Sequence, residues 1–508
     1  MKTIERQKIE NGKRKILRRL SDARGKFSAR PVFSGGGIRY ELAGRTQAIS
    51  CGGIGAMLRL VQELGLDQAI NRRLHLLRIN LPYHESDHVL NIAFNALCNG
   101  TCLDDIELRR NDAGFLNALG VDSIPDPTTA GDFCRRFSDE AILELMEAIN
   151  ETRLTVWQRQ PDSFFAEAVI DVDGTLVGTS GECKGGMEYS YKGIWGYHPL
   201  LVTLANTGEV LWLANRPGNR PSHEGADAYL SDTIDLVRRA GFRKVLLRGD
   251  TDFTQTHRLD EWSDLPEVRF VFGFDANPKL VDLAETLHPH VWKPLYRRDK
   301  HPERGPSRQR PENVKQQLVV EHGFENRATI AEDSAEFDYR PGHCRKTYRI
   351  VVVRKTIEHT KGQQWLFDDF VYFFYITNDR NWSSDEVVFQ ANDRCNQENQ
   401  IGQLKSGMRA LSAPVNSLEA NWAYMVMTAL AWNLKAWWAL CLPESGPWRE
   451  PHRAQKQTVL KMEFKRFVQA FIAIPCQIVR TARRIVYRIL AWNPWQHVFY
   501  RFARTLRL

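Results

Sequence analysis

The chain lacks the cysteine spacings that bind structural zinc. The nine cysteines contain no Cys-x2-Cys pair, and Cys98-x3-Cys102 has neither a second pair nor histidines close by. This excludes the usual tetrahedral zinc modules. No disulfide framework is evident either, so the scattered thiols predict a reducing, cytoplasmic setting.

Long apolar stretches are also scarce. The basic N-terminus contains no apolar segment of the kind a secretory signal needs, so we expect no export signal. One stretch, Trp422–Leu442, is about long enough to cross a bilayer. Asn433 and Lys435 interrupt it, and no second segment accompanies it. It therefore predicts a buried, tryptophan-rich helix rather than a membrane span.

The chain has an excess of positive charge, concentrated at its two ends. Its net charge is +8, and both the first and the last thirty residues are rich in lysine and arginine. Basic ends on a larger body suit a polyanion such as DNA. A pair of solvated tails explains the charge equally well, so charge alone leaves both interpretations open.

Apolar periodicity divides the chain into a helical first part, a strand-rich middle and a helical end. Strand-like runs and one helix from about residue 164 give the order β-β-β-α-β, which is the front half of a ribonuclease-H-like fold. At 508 residues, two to four domains are expected. We predict an α/β protein with these parts: a basic, loosely ordered segment (1–45), a helical DNA-binding domain (46–155), a ribonuclease-H-like catalytic core (160–262 and 385–415), a β-rich insertion (263–384) and a C-terminal helical basic region (416–508).

Three acids stand at positions where chemistry is expected. Asp173 and Asp250 each follow an aliphatic run typical of a buried strand. Glu398 belongs to a helical pattern in which Arg394, Glu398, Ile401 and Lys405 would share one face. Three gathered carboxylates can hold two Mg²⁺ ions, with Mn²⁺ as a substitute, and such sites cut and join phosphodiesters. Asp171 would either support the metal ligands from behind, without touching the metal, or be an auxiliary ligand of this site.

The segment Asp171-Val172-Asp173-Gly174-Thr175 supports a second interpretation. It matches the first motif of haloacid-dehalogenase-type phosphatases, with Asp171 as nucleophile and Asp173 as general acid. The match fails further on, because that family's Gly-Asp-x3-Asp motif would need an acid at Thr254. It also leaves Arg394, Glu398 and Lys405 unexplained, so it remains the alternative.

Further motifs, in the same order along the chain, make it resemble a known family. It is similar to bacterial insertion-sequence DDE transposases of the domain group 1 type, in the cut-and-paste branch with a Tyr-x2-Arg-x3-Glu-x6-Lys signature. The resemblance covers roughly residues 50–500. Besides the three acids it rests on these motifs: Tyr191-x-Gly193-x2-Gly196-Tyr197-His198-Pro199-Leu200, Arg216-Pro217-Gly218-Asn219, Arg248-Gly249-Asp250-x2-Phe253, Phe374-Tyr375-Ile376-Thr377-Asn378, Gln397-Glu398-Asn399-x-Ile401 and Ile478-Val479-Arg480-Thr481-Ala482-Arg483-Arg484.

The resemblance implies a function and a set of partners. Such an enzyme binds the terminal inverted repeats of its element, cleaves the double-stranded DNA ends and joins them to target DNA, acting as a homodimer in the bacterial cytoplasm at the nucleoid. Arg394 and Lys405 match the signature residues that grip phosphates near the cleavage site. The signature tyrosine is replaced by Ala391. Relatives stack a flipped base on an aromatic of the insertion, for which Trp292 and Trp365 are candidates.

The basic run near the end of the chain is expected to contact the DNA backbone. Arg480, Arg483, Arg484 and Arg488 would lie on one face of a helix, and each phosphate they neutralise steepens the salt dependence of binding. A third hypothesis is a DNA-binding descendant of a transposase that no longer cuts. Loss of an acid would favour it, whereas all three acids are present.

Overall fold

A computed structural model describes residues 3–24, 47–78, 82–296, 326–361, 369–444, 446–480 and 485–508. The chain divides into two compact units. The first comprises Met1–Phe164, Gly174–Arg220 and Glu398–Leu508, and the second comprises Phe165–Asp173 and Pro221–Gln397.

The α-helices and β-strands of the described residues are as follows. The helices are α1 (Thr3–Arg24), α2 (Ile54–Leu64), α3 (Leu66–Arg73), α4 (Glu85–Leu97), α5 (Ile106–Arg110), α6 (Ala113–Leu119), α7 (Pro127–Cys134), α8 (Asp139–Trp157), α9 (Ala226–Ala240), α10 (Leu259–Asp264), α11 (Pro278–Glu285), α12 (Ser384–Asn392), α13 (Cys395–Gly402), α14 (Leu418–Leu440), α15 (Arg449–Leu460), α16 (Phe464–Phe467) and α17 (Gln496–Thr505). The strands are β1 (Gln47–Ile49), β2 (Ala168–Gly174), β3 (Val177–Gly178), β4 (Glu188–Tyr189), β5 (Trp195–Tyr197), β6 (Leu200–Leu204), β7 (Glu209–Ala214), β8 (Val245–Gly249), β9 (Val268–Phe274), β10 (Lys293–Pro294), β11 (Asn326–Tyr339), β12 (Tyr348–Lys361), β13 (Asp369–Thr377), β14 (Cys476–Arg480) and β15 (Ile485–Ile489).

The second unit is built on one mixed sheet. Its strands are hydrogen-bonded in the order β10-β11-β12-β13-β9-β8-β2. β2, β8 and β9 are parallel neighbours, and β10 to β13 are antiparallel. β8 is buried at every position, which explains the aliphatic run Val245-Leu246-Leu247 at its start. The strands of the β-rich region therefore extend the sheet that carries Asp173 and Asp250, because β13 pairs with β9. The protein is thus of the mixed α/β type with a large mixed sheet.

Helix α12 packs on this sheet and fixes the segment that leads to the predicted third acid. Val387 and Val388 of the helix are fully buried in a core with Leu246 of β8 and Val271 of β9. Ser383 and Glu386 form a capping box at its first turn, which satisfies backbone donors there.

The first unit is mainly helical and has a buried polar centre. The carboxylate of Glu209, at the start of β7, accepts hydrogen bonds from Arg153 at 3.0 Å, from Trp157 at 2.9 Å and from Trp437 at 2.8 Å. Thr207 donates a further bond at 2.6 Å. The Arg153 and Glu209 side chains are completely buried, and such a pair is tolerated only when its remaining polar atoms are also satisfied.

The tryptophan-rich stretch is a buried helix, as predicted. It forms α14, which is buried on all sides rather than along one stripe. No helix among the described residues has the length and apolarity needed to cross a membrane. Lys435 in this helix donates a hydrogen bond of 2.9 Å to the Leu460 carbonyl and lies 4.1 Å from the Trp432 ring centroid.

Burial makes the folding stability dependent on pH through Lys435. Desolvation lowers the pKa of Lys435 from its ordinary 10.5 to about 7. Below pH 7 the residue is charged in both states, and burying that charge costs on the order of 5 kcal/mol. Between pH 7 and 10.5 the unfolded chain binds the extra proton, so stability should rise by about 1.4 kcal/mol per pH unit.

Replacement of Lys435 by methionine should remove this pH dependence. We expect Lys435→Met to be more stable than the wild type at pH 7. The gain should be smaller than the cost of burying the Lys435 charge, because the Leu460 carbonyl loses its hydrogen-bond donor. Denaturant unfolding of both proteins from pH 6 to 9 measures the difference. A difference that does not change with pH would show that Lys435 is charged in the folded protein throughout that range.

Two parts of the chain differ from the prediction. The N-terminal segment expected to be loosely ordered contains α1, and residues 25–46 lie outside the described part. The C-terminal region is not helical throughout, because β14 and β15 form an antiparallel pair beside β1. Ile478-Val479 and Ile485-Val486-Tyr487 are β-branched and aromatic residues, which favour strands over a helix.

Candidate active site

Two parallel strands bring the first two predicted acids together in the second unit. Asp171 of β2 stands opposite Arg248 of β8 in the strand register. Asp173 and Asp250 each follow two residues later, and residues two apart lie on the same face of a strand. Asp173 is still part of β2, whereas Asp250 is the first residue after β8. The sequence predicted both positions from the aliphatic run that precedes each acid.

Arg394 lies between these two carboxylates. One of its terminal nitrogens is 3.4 Å from Asp173 Oδ2 and 3.9 Å from Asp250 Oδ2. The side chains are about 15%, 37% and 19% exposed for Asp173, Asp250 and Arg394. Two partly accessible carboxylates therefore converge on one positive charge. Carboxylate oxygens are the donors that a hard divalent cation prefers. Both acids fit a metal ion in this respect.

Asp171 is occupied by a different partner. Its two oxygens accept hydrogen bonds from Arg248 Nε at 2.7 Å and Nη2 at 2.9 Å, and its side chain is 1% exposed. It does not fit the predicted role of auxiliary metal ligand, because both oxygens face the guanidinium. The same burial opposes the phosphatase alternative, which needs Asp171 as an accessible nucleophile.

Arg248 is a residue whose role the sequence did not reveal. Besides Asp171 it donates to the backbone oxygen of Gln390 in α12 at 3.1 Å, and Gln397 of α13 donates to the backbone oxygen of Asp171 at 3.1 Å. This network links β2, β8 and the two helices beside Arg394. The only available signal was a basic residue inside an otherwise aliphatic strand.

The predicted helical stripe is interrupted. Arg394 lies in the turn between α12 and α13, and Glu398 is an exposed residue of α13. After Gly402 the helix widens into a π-helical turn, Gln403–Gly407, which contains Lys405. A single α-helical register from Arg394 to Lys405 was therefore wrong, because a turn and a π-helical turn change the angle per residue. In the described part of the chain, no cluster of three or more histidine, cysteine, aspartate or glutamate side chains is arranged to hold a metal.

Comparison with known proteins identifies the family. Residues 31–508 match the family model for transposase DDE domain group 1. The chain belongs to this family. None of the curated proteins matches it. Among solved structures, it is similar to the piggyBac transposase in a synaptic complex with hairpin DNA. The similarity covers 84% of this chain and 85% of that one, with 10% sequence identity and a TM-score of 0.36.

Lys405 holds the segment that follows Asp173 in this transposase, and His198 lies close beside it. In the first unit, Lys405 Nζ donates to the Leu176 backbone oxygen at 2.7 Å and lies 3.3 Å from Thr175 Oγ1. Burial lowers the pKa of Lys405. A Cβ on Gly174 would lie 2.9 Å from His198 Nε2, and the Nδ1 of that ring is 3.0 Å from the Arg220 carbonyl oxygen. A side chain at position 174 would therefore require the His198 ring to shift.

An open groove of about 340 Å³ lies beside Asp250 in the second unit. Asp250, Arg394, Ala391 and aromatic residues of β13 line it. Ala391 stands where the family signature has tyrosine, so this transposase has a small side chain at the groove wall. Trp292 packs against Arg354, whose guanidinium carbon lies 4.3 Å from the Trp292 ring centroid. Trp365 lies outside the described residues.

Two of the basic residues predicted to contact DNA near the C-terminus, Arg480 and Arg488, lie on strands and not on a helix. Arg480 is the exposed last residue of β14 and donates a hydrogen bond to Asn117. Arg488 is exposed on β15 and donates to Gln477 at 3.3 Å. Arg483 and Arg484 lie outside the described residues. The prediction that these arginines share one helical face was wrong, although their role in DNA binding stays a prediction.

Proposed function

We propose that this protein is a cut-and-paste DNA transposase in which Asp173, Asp250 and Glu398 form the catalytic site. It binds the terminal inverted repeats of its element, cleaves the double-stranded ends and joins them to target DNA. The observation that carries the proposal is the convergence of Asp173 and Asp250 on the guanidinium of Arg394. The family match over residues 31–508 supports it. We infer a ribonuclease-H-like core around β2 and β8, and a homodimer acting on nucleoid DNA in the bacterial cytoplasm.

The acids would hold two Mg²⁺ ions, or Mn²⁺ in their place. When bound, such ions activate the attacking oxygen and stabilise the leaving one. Asp173 and Asp250 supply two carboxylates from adjacent strands, and Glu398 supplies the third from α13.

The cationic side chains around the acids bind and orient the DNA. Arg394 is close enough to both acids to contact a phosphate held there. Lys405 fixes the segment after Asp173 through the Leu176 carbonyl, and from its match to the signature we infer that it grips a DNA phosphate. The buried Asp171–Arg248 pair lies two residues before Asp173 and Asp250 on the same two strands. It keeps the two acids at a fixed separation.

Nicking of a plasmid that carries the element's own ends tests the proposal. With Mg²⁺, the wild type should cut at the ends, and Glu398→Gln should cut at least about 100-fold more slowly because a charged ligand becomes neutral. DNA binding by the two proteins should be equal within about twofold.

Three other outcomes would contradict the proposal. Equal cutting by both proteins would remove Glu398 from the site. Absence of cutting together with tight DNA binding by both would indicate the non-cutting descendant. Hydrolysis of p-nitrophenyl phosphate that is lost in Asp171→Asn would favour the phosphatase alternative.

A further inference from the structure

Helix α1 precedes the family match, and its exposure differs from that of the other long helices in the described residues. The match starts at residue 31, whereas α1 ends at Arg24. Among the residues of α1 whose burial is described, Glu5, Ile9, Gly12 and Ile16 are half-buried and the others are exposed. These four positions are spaced as one narrow stripe on a helix. The helix therefore touches the protein along one line and presents the rest of its surface to the solvent.

The exposed surface of α1 is strongly basic. The helix has eight lysines and arginines against three acids. Lys8 and Lys15 lie on one flank of the half-buried stripe, and Lys13 lies on the other. A helix that is polar around most of its circumference has no core to join, so a charged partner is what its surface suits.

The stripe of α1 docks on the C-terminal end of the first unit. Glu5 forms an ion pair with Arg504 of α17. A Cβ placed on Gly12 would be 3.8 Å from Cβ of Trp492, an ordinary van der Waals contact. The first and last helices of the chain are thus neighbours, although almost the whole sequence separates them.

The segment on which α1 docks is itself free of acids. Residues 464–508 contain nine lysines and arginines and no aspartate or glutamate. Glu5, the acid of α1 that faces this segment, is used in the ion pair with Arg504. We call α1 together with α17 the terminal surface; its exposed positive charge lies on α1, because Arg504 of α17 is paired with Glu5.

We propose that the terminal surface is a second DNA-binding site, which grips the phosphate backbone of duplex DNA without reading its sequence. Duplex DNA is favoured because positive charge surrounds most of α1, and an α-helix fits the duplex grooves. The inference rests on the proposed function for its choice of DNA as the polyanion. It adds a site that the catalytic core does not contain.

Salt dependence of binding to a 30-base-pair duplex of arbitrary sequence tests the site. Binding is measured in EDTA, so that cleavage does not contribute. The variant Lys13→Ala/Arg14→Ala/Lys15→Ala removes three exposed charges from α1 and keeps a helix-forming residue at each position. The slope of log affinity against log salt should fall in magnitude by about 2.7, which is 0.9 for each lost phosphate contact.

A matched control separates a local site from general charge. The variant Arg239→Ala/Lys244→Ala/Lys279→Ala removes three exposed charges from the second unit and lowers the net charge equally. Its slope should stay within about 0.5 of the wild type. An equal fall in both variants, or in neither, would overturn the proposal. Loss of binding to phosphatidylglycerol vesicles in the α1 variant, with an unchanged DNA slope, would assign the surface to lipid and also overturn it.

A disulfide tests whether α1 binds DNA in its docked position. In the variant Gly12→Cys/Trp492→Cys, the two Cβ atoms would be 3.8 Å apart, which is the usual separation in a disulfide. Oxidised glutathione should close the bond, detected as a mobility shift on a non-reducing gel, and the DNA slope should be unchanged. Loss of DNA binding on cross-linking would show that α1 must leave α17, which contradicts a shared surface.

The outcomes also separate this inference from the proposed function. If the plasmid is not nicked but the α1 variant loses its salt slope, the terminal surface remains and the transposase proposal fails. If nicking is normal and the slope does not change, only the terminal surface fails.

Discussion

Replacement of Asp173 by asparagine is expected to abolish DNA-end cleavage without destabilising the fold. Asp173 is one of two carboxylates that converge on the guanidinium of Arg394, and the exchange removes half of their negative charge. We expect cleavage to fall by about three orders of magnitude or more, as for loss of a group that stabilises charge in the transition state. Its contact with Arg394 is long and partly exposed, so unfolding should change by no more than about 1 kcal/mol.

Asp171, two residues earlier on the same strand, provides the matched control. Asp171→Asn leaves the buried guanidinium of Arg248 without a full countercharge, and breaking a buried pair costs about 3–5 kcal/mol. Quantitative nicking and thermal unfolding of both variants check the contrast. Cleavage by Asp173→Asn within tenfold of the wild type, or equal loss of stability in the two variants, would contradict the assigned roles.

Replacement of Glu209 by alanine is expected to have the largest effect on stability. Four donors converge on this carboxylate: Arg153, Trp157, Trp437 and Thr207. The exchange leaves a completely buried arginine without its countercharge and two indole N–H groups without acceptors. Breaking the ion pair alone costs about 3–5 kcal/mol, and each unsatisfied donor adds about 1–3 kcal/mol. This is comparable to the whole stability of an ordinary domain.

An exposed ion pair in the same unit gives the comparison. Glu107 pairs with Arg110 at 3.2 Å, with both side chains nearly half exposed. Glu107→Ala should cost less than about 0.5 kcal/mol. Denaturant unfolding followed by tryptophan fluorescence measures both variants. If Glu209→Ala has the same denaturant midpoint of unfolding as the wild type, the buried network does not stabilise the first unit.

The strands of the sheet were predictable because their sequences carry local information. β2 and β8 each begin with a short aliphatic run and lead to an acid, Asp173 in β2 and Asp250 directly after β8, and parallel strands buried on both faces have such aliphatic runs. The pairing of Asp171 with Arg248 was not predictable. It depends on which two strands are neighbours and on their register, and neither is encoded within either segment alone.

The interpretation of the later segments failed where short-range geometry deviates from a regular helix. The turn at residues 393–394 and the π-helical turn Gln403–Gly407 each change the angle between side chains, so a strict α-helical projection misplaces Lys405. Arg480 and Arg488 were assigned to a helix from their charges, whereas the β-branched residues between them favour strands.

The Glu209 network also sets an order for folding during synthesis. Trp437, one of its donors, is 228 residues further along the chain. At 5–20 residues per second, a ribosome takes roughly 10–50 s to add that length. During this interval the Glu209 carboxylate lacks its Trp437 donor, so the buried network of the first unit cannot form completely. A nascent chain that stops before α14 is therefore left with an exposed acid in an incomplete core, and such a truncated product is a substrate for proteolysis rather than an inactive but folded copy.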